Sequence, residues 1–450
     1  MSKQIRIKRG LNIKLLGESE KTITEFSNIS EYALKPTDFH GFSPKLLVKE
    51  GDELKIGSPV FFNKTDERIK ITSPVSGKVK AIIRGEKRAI EEIQITASAT
   101  HDFIDFGKAN PSELNKEAII EKLLNSGVWA YIRQRPFNII ANPFDTPKAI
   151  FISGFDTAPL APDYDFIMHG KGDLFQTGIN ALAKLTEGKI HLNLHPEMNT
   201  SKVFSNSKNV EITYFTGPHP SGNVGVQIHH INPINKSDII WYVNPLDVLI
   251  IGKLFNEGKY DASKIIALSG SELLHPKYAK VIGNTCISAF VKDNVKSDNV
   301  RYISGNVLTG SKISNNGYLG FYDHQITVIP EGNYHEFFGW ALPGLNKFSF
   351  SKSYFSWLMP GKKYTLDTNY HGGERAYVIT GEYEKVLPMD IMPMQLIKAI
   401  LAEDIDMMEK LGIYEVAEED FALVEFIDTS KTEIQAIIRK GLDLIRKEMN

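Results

Sequence analysis

Between about residue 101 and residue 255, compact apolar runs alternate with stretches of helical spacing, and this alternation leaves few folds open. Ala149-Ile-Phe-Ile-Ser153 is a short continuous apolar run ending at Gly154, and residues 189–193, 210–213 and 239–243 read the same way. Between them, residues 116–125 place Ile119, Ile120, Leu123 and Leu124 on one helical face, and residues 174–185 are again helical. Strands that alternate with helices imply a layered α/β domain with a mostly parallel sheet.

The rhythm differs on either side. Residues 1–100 read as short strands punctuated by Gly and Pro, as in 48–57 and 69–79. Arg84-Gly-Glu-Lys-Arg88 reads as a hairpin tip before an alternating strand over 89–96. This predicts a small all-β unit. Residues 256–330 return to short elements, with strands predicted near 264–268, 287–291, 301–303 and 325–329, which suits a small α+β module. Residues 332–380 are irregular and aromatic, and the chain becomes helical from Pro393. Leu396, Ile397, Ile400 and Leu401 mark one helix face, with Gly412 as a C-cap. Ile434, Ile437, Ile438, Leu442 and Ile445 mark the face of the last helix, with Thr432 near its N-cap. The reading is an α/β multidomain chain divided into 1–100, 101–255, 256–330 and 331–450.

Composition narrows the function classes. A formal charge of -2 gives no global attraction for nucleic acid. Cys286 is the only cysteine, which excludes an internal disulfide and a cysteine-held iron–sulfur cluster. No apolar stretch approaches the ~18 residues that span a bilayer, and no apolar h-region follows the charged start of the chain. Membrane contact is therefore expected through a partner or a surface patch.

Several local patterns invite chemistry. Gly51, Gly57 and Ser73-Pro-Val-Ser-Gly77 resemble the biotinyl/lipoyl-carrier pattern. The position of the carrier lysine is Asp66 here, beside Glu67 and Arg68, with Lys64 and Lys70 flanking it. An unmodified hairpin tip is expected, and the barrel is read as a docking module. After the run at Ala149–Ser153 comes Gly154-Phe-Asp-Thr-Ala-Pro, which lacks the glycines a pyrophosphate loop needs. Gly170-Lys-Gly172 is read as an ordinary helix start. His219, His229 and His230 are near one another in sequence, but nothing accompanies them at metal-ligand spacing. Read as strand neighbours, His229 and His230 would face opposite sides. Cys286 reads as a core residue.

Longer stretches carry a family resemblance. They are His40-Gly-Phe-Ser-Pro-Lys45, Trp129-Ala-Tyr-Ile-Arg-Gln-Arg-Pro-Phe137, 152–160, 217–222, 318–326, Glu336-Phe-Phe-Gly-Trp340 and 373–390. Together, and in this order, they resemble the A subunit of the bacterial sodium-translocating NADH:quinone oxidoreductases. The resemblance implies a barrel-sandwich hybrid, a Rossmann-like domain, a β-grasp soluble-ligand-binding-type domain and a C-terminal helical domain. That layout resembles the NADH-oxidising subunit of respiratory complex I, but the flavin/NADH loop and the cluster cysteines of that relative have no match here.

The resemblance further implies an accessory subunit of a complex that oxidises NADH, reduces ubiquinone and exports Na+. The subunit would bind no metal and carry no cofactor, with flavins and the iron–sulfur centre on other subunits. It would sit on the cytoplasmic face of the inner membrane, held by a membrane-embedded partner. Two functions remain open, a structural docking role and a quinone-binding role; an independent NADH dehydrogenase fits the residues least. For quinone, the matching motifs offer Arg133, Arg135 and Phe137, with Phe39 and His40 opposite. For docking, the aromatic residues of 334–357 are the candidates, Phe350 and Trp357 foremost, with Lys347, Lys352, Lys362 and Lys363 nearby.

Overall fold

The computed structural model describes residues 3–26, 29–339, 341–378 and 381–449. Trp340 and the pair Ile379-Thr380, which belong to the resemblance motifs, lie outside the described residues.

The barrel-sandwich hybrid packs two antiparallel sheets. One has the order Glu31–Leu34, Ile90–Ala97, Gly77–Arg84, Glu53–Leu54; the other runs Pro44–Leu46, Pro59–Asn63, Asp66–Thr72. Val60, Phe61, Ile71, Val79, Ile93 and Ile95 fill the space between them. The carrier-type hairpin turns at Lys64-Thr65, and Asp66 already belongs to the returning strand. The expected tip residues 66–68 are thus displaced, and Lys64 sits in the turn itself. The Asp66 side chain is spent on Arg68, accepting at 2.7 and 3.0 Å.

The α/β domain has a seven-stranded sheet. Its order is Lys3–Arg6, Glu211–Thr216, Lys189–Leu194, Ala149–Ser153, Ile240–Tyr242, Arg133–Arg135, Ile139–Ile140. The first five strands are parallel; Arg133–Arg135 runs antiparallel to Ile240–Tyr242, and Ile139–Ile140 antiparallel to Arg133–Arg135. Ile150, Phe151 and Ile152 are fully buried, as a strand covered on both faces requires. Helices Gly172–Ala183 and Pro245–Glu257 cross at glycines. A Cβ on Gly178 would lie 2.4 Å from the Val248 carbonyl oxygen, and one on Gly252 would lie 2.0 Å from that of Leu174. Histidines 229 and 230 sit on helix Val224–Ile231, not on a strand. The apolar Val-Gly-Val-Gln-Ile run reads either way at that length.

The third sheet has the order Ser311–Ile313, Val300–Ser304, Gln325–Pro330, Ser263–Ser269, Lys277–Ile282, Glu20–Glu25. The run expected as a strand over 287–291 is one helical turn, Ser288–Val291, whose Phe290 and Val291 cover Ile266, Leu268 and Val328. A short apolar run cannot separate the two states by itself. Two strands from the start of the chain thus extend sheets other than the barrel: Lys3–Arg6 pairs with Glu211–Thr216, and Glu20–Glu25 with Lys277–Ile282. The described residues of 331–392 are irregular. Helices Pro393–Leu401, Ile405–Lys410, Ala422–Ile427 and Ile434–Met449 complete the chain, with Ile434, Ile438, Leu442 and Ile445 buried along one stripe.

Candidate functional site

Strand order in the α/β sheet reverses beside Ala149–Ser153. The next two strands in sequence build outward on one side, and Ile240–Tyr242 is added on the other. In open α/β sheets the crevice outside the carboxyl ends at such a switch point is where ligands bind. Here that crevice is a cavity of about 560 Å³. Ser153, Phe155 and Asp156 follow one strand into it, and Tyr242, Val243 and Asn244 follow the other. The barrel side contributes Asp38 and His40, the third sheet's loop Phe321, Tyr322 and Asp323, and the C-terminal helices Glu418, Glu419, Gln435 and Arg439.

Arg133 organises one wall. Its guanidinium carbon lies 4.5 Å from the Tyr322 ring centroid and 5.3 Å from that of Tyr242, and it donates to Asn138 Oδ1 at 2.6 Å. Tyr242 donates to the same oxygen. Asn138 Nδ2 donates to Glu418 Oε2 at 3.1 Å, and Glu418 Oε1 accepts from Arg439 at 3.1 Å with His40 Nε2 3.5 Å away. Burial works against the Glu418 charge, yet Arg439 and His40 hold its carboxyl below the usual range. Desolvation lowers the pKa of His40, with Glu418 pulling the other way, so its imidazole is neutral at pH 7. Burial raises Tyr164, Tyr242 and Tyr322, which keeps their hydroxyls protonated.

The floor holds a buried polar group. Asp247 Oδ1 lies 3.3 Å from His324 Nε2 and 3.8 Å from Lys264 Nζ and makes no hydrogen bond. Lys264 donates instead to the Phe321 carbonyl at 2.5 Å, and burial lowers the pKa of both Lys264 and His324. Tyr131 stacks on Phe321 with centroids 4.5 Å apart, and its hydroxyl meets that of Tyr260 at 2.9 Å.

These residues do not suit a dinucleotide. Past Ser153, Asp156 Oδ1 takes the Ala158 N–H at 2.8 Å, a donor that a phosphate would need. Asp38, Asp156, Asp247, Asp323, Glu418 and Glu419 face the same space, and their charge opposes a pyrophosphate. Among the described residues no group of three or more His, Cys, Asp or Glu could hold a metal ion. His229 and His230 serve the tail: His229 meets Glu415 at 2.6 Å and accepts from the Asp390 N–H at 3.0 Å, and His230 meets the Pro388 carbonyl at 3.0 Å. Cys286 is buried beside Ala33 and Tyr318.

Of the residues singled out in the sequence, His40 and Arg133 line the cleft together. Phe39 lies one layer behind, its ring 4.9 Å from Phe321 and 5.8 Å from Tyr322. Arg135 is fully buried, donating to Asp420 at 2.5 Å and to the cleft residue Glu419 at 2.7 Å. Phe137 is buried edge-on to Tyr414 at 6.3 Å, and its carbonyl accepts from Arg439 at 2.8 Å. Phe350 is partly buried against the C-terminal core, whereas Trp357 is half exposed. Sequence reasoning missed Tyr131, Tyr164, Tyr242, Asp247 and Arg439. The signal for Tyr242 was available, because it lies at the end of the apolar run 239–243, next to the sheet's switch point.

Family models match three parts of the chain: the NqrA N-terminal barrel-sandwich hybrid domain over residues 5–98, the NqrA second alpha/beta domain over 114–260, and the NQRA C-terminal domain over 265–315. The A subunit of the Na(+)-translocating NADH-quinone reductase of Yersinia pestis bv. Antiqua (strain Angola) is 36% identical over 449 residues, covering 99% of this chain and all of that one. Its counterpart from Pasteurella multocida (strain Pm70) is 36% identical over 448 residues with the same coverage. The chain of an NAD+-reducing [NiFe]-hydrogenase in the air-oxidized state aligns with a TM-score of 0.39 at 9% identity. That alignment covers 74% of this chain and 61% of the hydrogenase chain. The chain belongs to the NqrA family, the A subunits of the Na+-translocating NADH-quinone reductase, a Na+-pumping complex, and is a subunit of that enzyme.

Proposed function

We propose that, within the complex, this subunit holds a quinone headgroup in the four-module cleft. A quinone is a flat ring with two carbonyl acceptors. The observation that carries the reading is a set of donors beside aromatic walls: Arg439 and His40 line the cleft together with the rings of Tyr242 and Tyr322. A guanidinium N–H and a neutral imidazole donate to carbonyl oxygens without requiring a charged ligand. The carboxylate lining disfavours phosphate and leaves a neutral ring acceptable. The flavins and iron–sulfur centre belong to other subunits in this reading.

Titrating the purified chain with a headgroup-only quinone tests it. Trp241 and Trp129 meet edge-to-face at 5.4 Å beneath the strand that ends in Tyr242, so saturable quenching of tryptophan fluorescence is expected. Arg439→Met removes a charged donor and weakens binding roughly tenfold or more. Absence of saturation in the unmodified chain, or equal affinity in Arg439→Met and His40→Ala, would overturn the assignment.

A second reading concerns docking, and it is favoured by a surface observation. Phe337 is 87% exposed, and Phe338, Phe355, Trp357 and Leu358 are at least half exposed within one irregular segment. No described helix is long and apolar enough to cross a membrane. The segment therefore serves as the contact with a membrane-embedded partner on the cytoplasmic face. Trp357→Ser should release the chain from the complex without unfolding it. Phe350 packs on the core, so Phe350→Ser lowers stability instead; retention of Trp357→Ser in the complex would argue against the patch.

A further inference from the structure

Six carboxylates line the cleft, and five of them are already engaged. Asp38 accepts from the Phe321 N–H at 2.8 Å, Asp156 from that of Ala158 at 2.8 Å, and Asp323 from the Ser304 hydroxyl at 2.5 Å. Glu418 accepts from Asn138 and Arg439 at 3.1 Å each, and Glu419 from Arg135 at 2.7 Å. Asp247 is the exception: no described residue donates a well-formed hydrogen bond to its carboxylate. The residue is only 2% exposed. His324 Nε2 comes to 3.3 Å from Oδ1 without hydrogen-bond geometry, and Lys264 Nζ, 3.8 Å away, is committed to the Phe321 carbonyl.

Local structure fixes this acceptor in place. Asn244 caps the helix Pro245–Glu257 directly after strand Ile240–Tyr242, and the Asp247 N–H donates to the Asn244 carbonyl at 2.9 Å. Asp247 therefore stands in the first helical turn, where the helix dipole favours negative charge. The cleft thus has donors on one wall, Arg439 and His40, and an unengaged buried acceptor on its floor. A quinone offers two carbonyl oxygens and no donor. It suits the wall, but at the floor it sets lone pairs against a carboxylate. A hydroxyl both accepts and donates. A hydroquinone can therefore accept from the wall with one oxygen and donate to the floor with the other. A site holding a buried acceptor discriminates against a ligand that brings no donor to it, because the acceptor stays unpaired.

We infer that Asp247 makes the cleft select the reduced ring, its carboxylate accepting the O–H that a hydroquinone has and a quinone lacks. The inference rests on the headgroup reading above. It has a consequence for the redox pair: each tenfold preference for the hydroquinone raises the two-electron potential of the bound pair by about 30 mV.

The test titrates the full chain, by calorimetry, with three ligands that share one ring. They are a tailless tetrasubstituted benzoquinone, its hydroquinone under anaerobic conditions, and the dimethyl ether of that hydroquinone, which has no O–H. In the unmodified chain the hydroquinone is expected to bind roughly ten- to a hundredfold more tightly than the quinone, and the ether no more tightly than the quinone. Asp247→Asn keeps the size of the side chain but can donate to a quinone carbonyl, so the ratio of hydroquinone to quinone affinity should fall to near one. A double variant, Asp247→Asn with Lys264→Met, removes the cation that the single change leaves unbalanced, and circular dichroism checks that each is folded. Equal affinity for quinone and hydroquinone in the unmodified chain, an ether that binds as tightly as the hydroquinone, or a preference undiminished in a folded variant overturns selection by Asp247 and leaves the headgroup reading standing. The first two comparisons need no variant. Saturable binding of the hydroquinone with none of the quinone overturns the quinone reading and keeps the selection for an O–H donor. If neither ring binds, both fall.

Discussion

Arg135 shows how far a single residue reaches beyond what its sequence neighbourhood reveals. It shares a strand with Arg133, two positions away, so both side chains leave the same face of the sheet. Arg133 meets the cleft, whereas Arg135 meets the turn at Glu418–Phe421 and is sealed by it. Its partner Asp420 is also fully buried, and a buried carboxylate without its cation is costly. Arg135→Met is therefore expected to destabilise the chain by about 3–5 kcal/mol, read as a lower denaturation midpoint; a loss below about 1 kcal/mol would show that the pair is dispensable. Glu331 gives a pH-dependent counterpart. Its hydrogen bond from Arg301, with Lys312 close by, lowers its pKa from 4.5 to about 2 against a smaller effect of burial. A depressed carboxyl pKa stabilises the fold above the unfolded value, and that stability is lost as pH falls from about 4.5 toward 2. Glu331→Gln should flatten the acid limb of the stability curve in that window, and an unchanged limb would count against the pair. At this scale the sequence offered His40 and Arg133 through motif resemblance. It could not offer Arg439 or Asp247, because helical spacing and an apolar context say nothing about which distant loop a polar side chain meets.

Elements were legible where the apolar period was long or the strand fully buried. Ala149–Ser153 and the stripe of Ile434, Ile438, Leu442 and Ile445 form as their spacing requires. The run ending in Val291 and the pair His229-His230 were misread because four or five apolar residues satisfy strand and helix alike. Strands Lys3–Arg6 and Glu20–Glu25 left little trace, being short, polar and at sheet edges. Helix packing tests the element scale directly. Gly252→Ala would put a Cβ 2.0 Å from the Leu174 carbonyl oxygen in a contact between two helix backbones. Overpacking there is expected to cost about 1–3 kcal/mol. It should appear as a lower urea midpoint with an unchanged slope. A neutral outcome would mean that helices Gly172–Ala183 and Pro245–Glu257 can separate freely.

At the scale of the whole molecule, the cleft draws on residues from Thr37 to Arg439, and no local pattern reports that convergence. What sequence did convey was the alternation that builds a parallel sheet, and the strand ends at its reversal mark where a ligand belongs. The N-terminal strands bind the modules together in a different way. Ile5→Pro removes a ladder hydrogen bond opposite Phe215. Hydrogen exchange should then show lost protection in Glu211–Thr216, with the barrel strands unaffected; unchanged protection would mean that the edge strand adds nothing. This arrangement also carries a consequence for biosynthesis. Strand Lys3–Arg6 has no partner until residues 211–216 have been made, and Glu20–Glu25 must wait for 277–282. Both strands are therefore seated long after they are made. Until then two polar strand edges stay open, and their Lys and Glu residues give the growing chain protection against pairing with a neighbour.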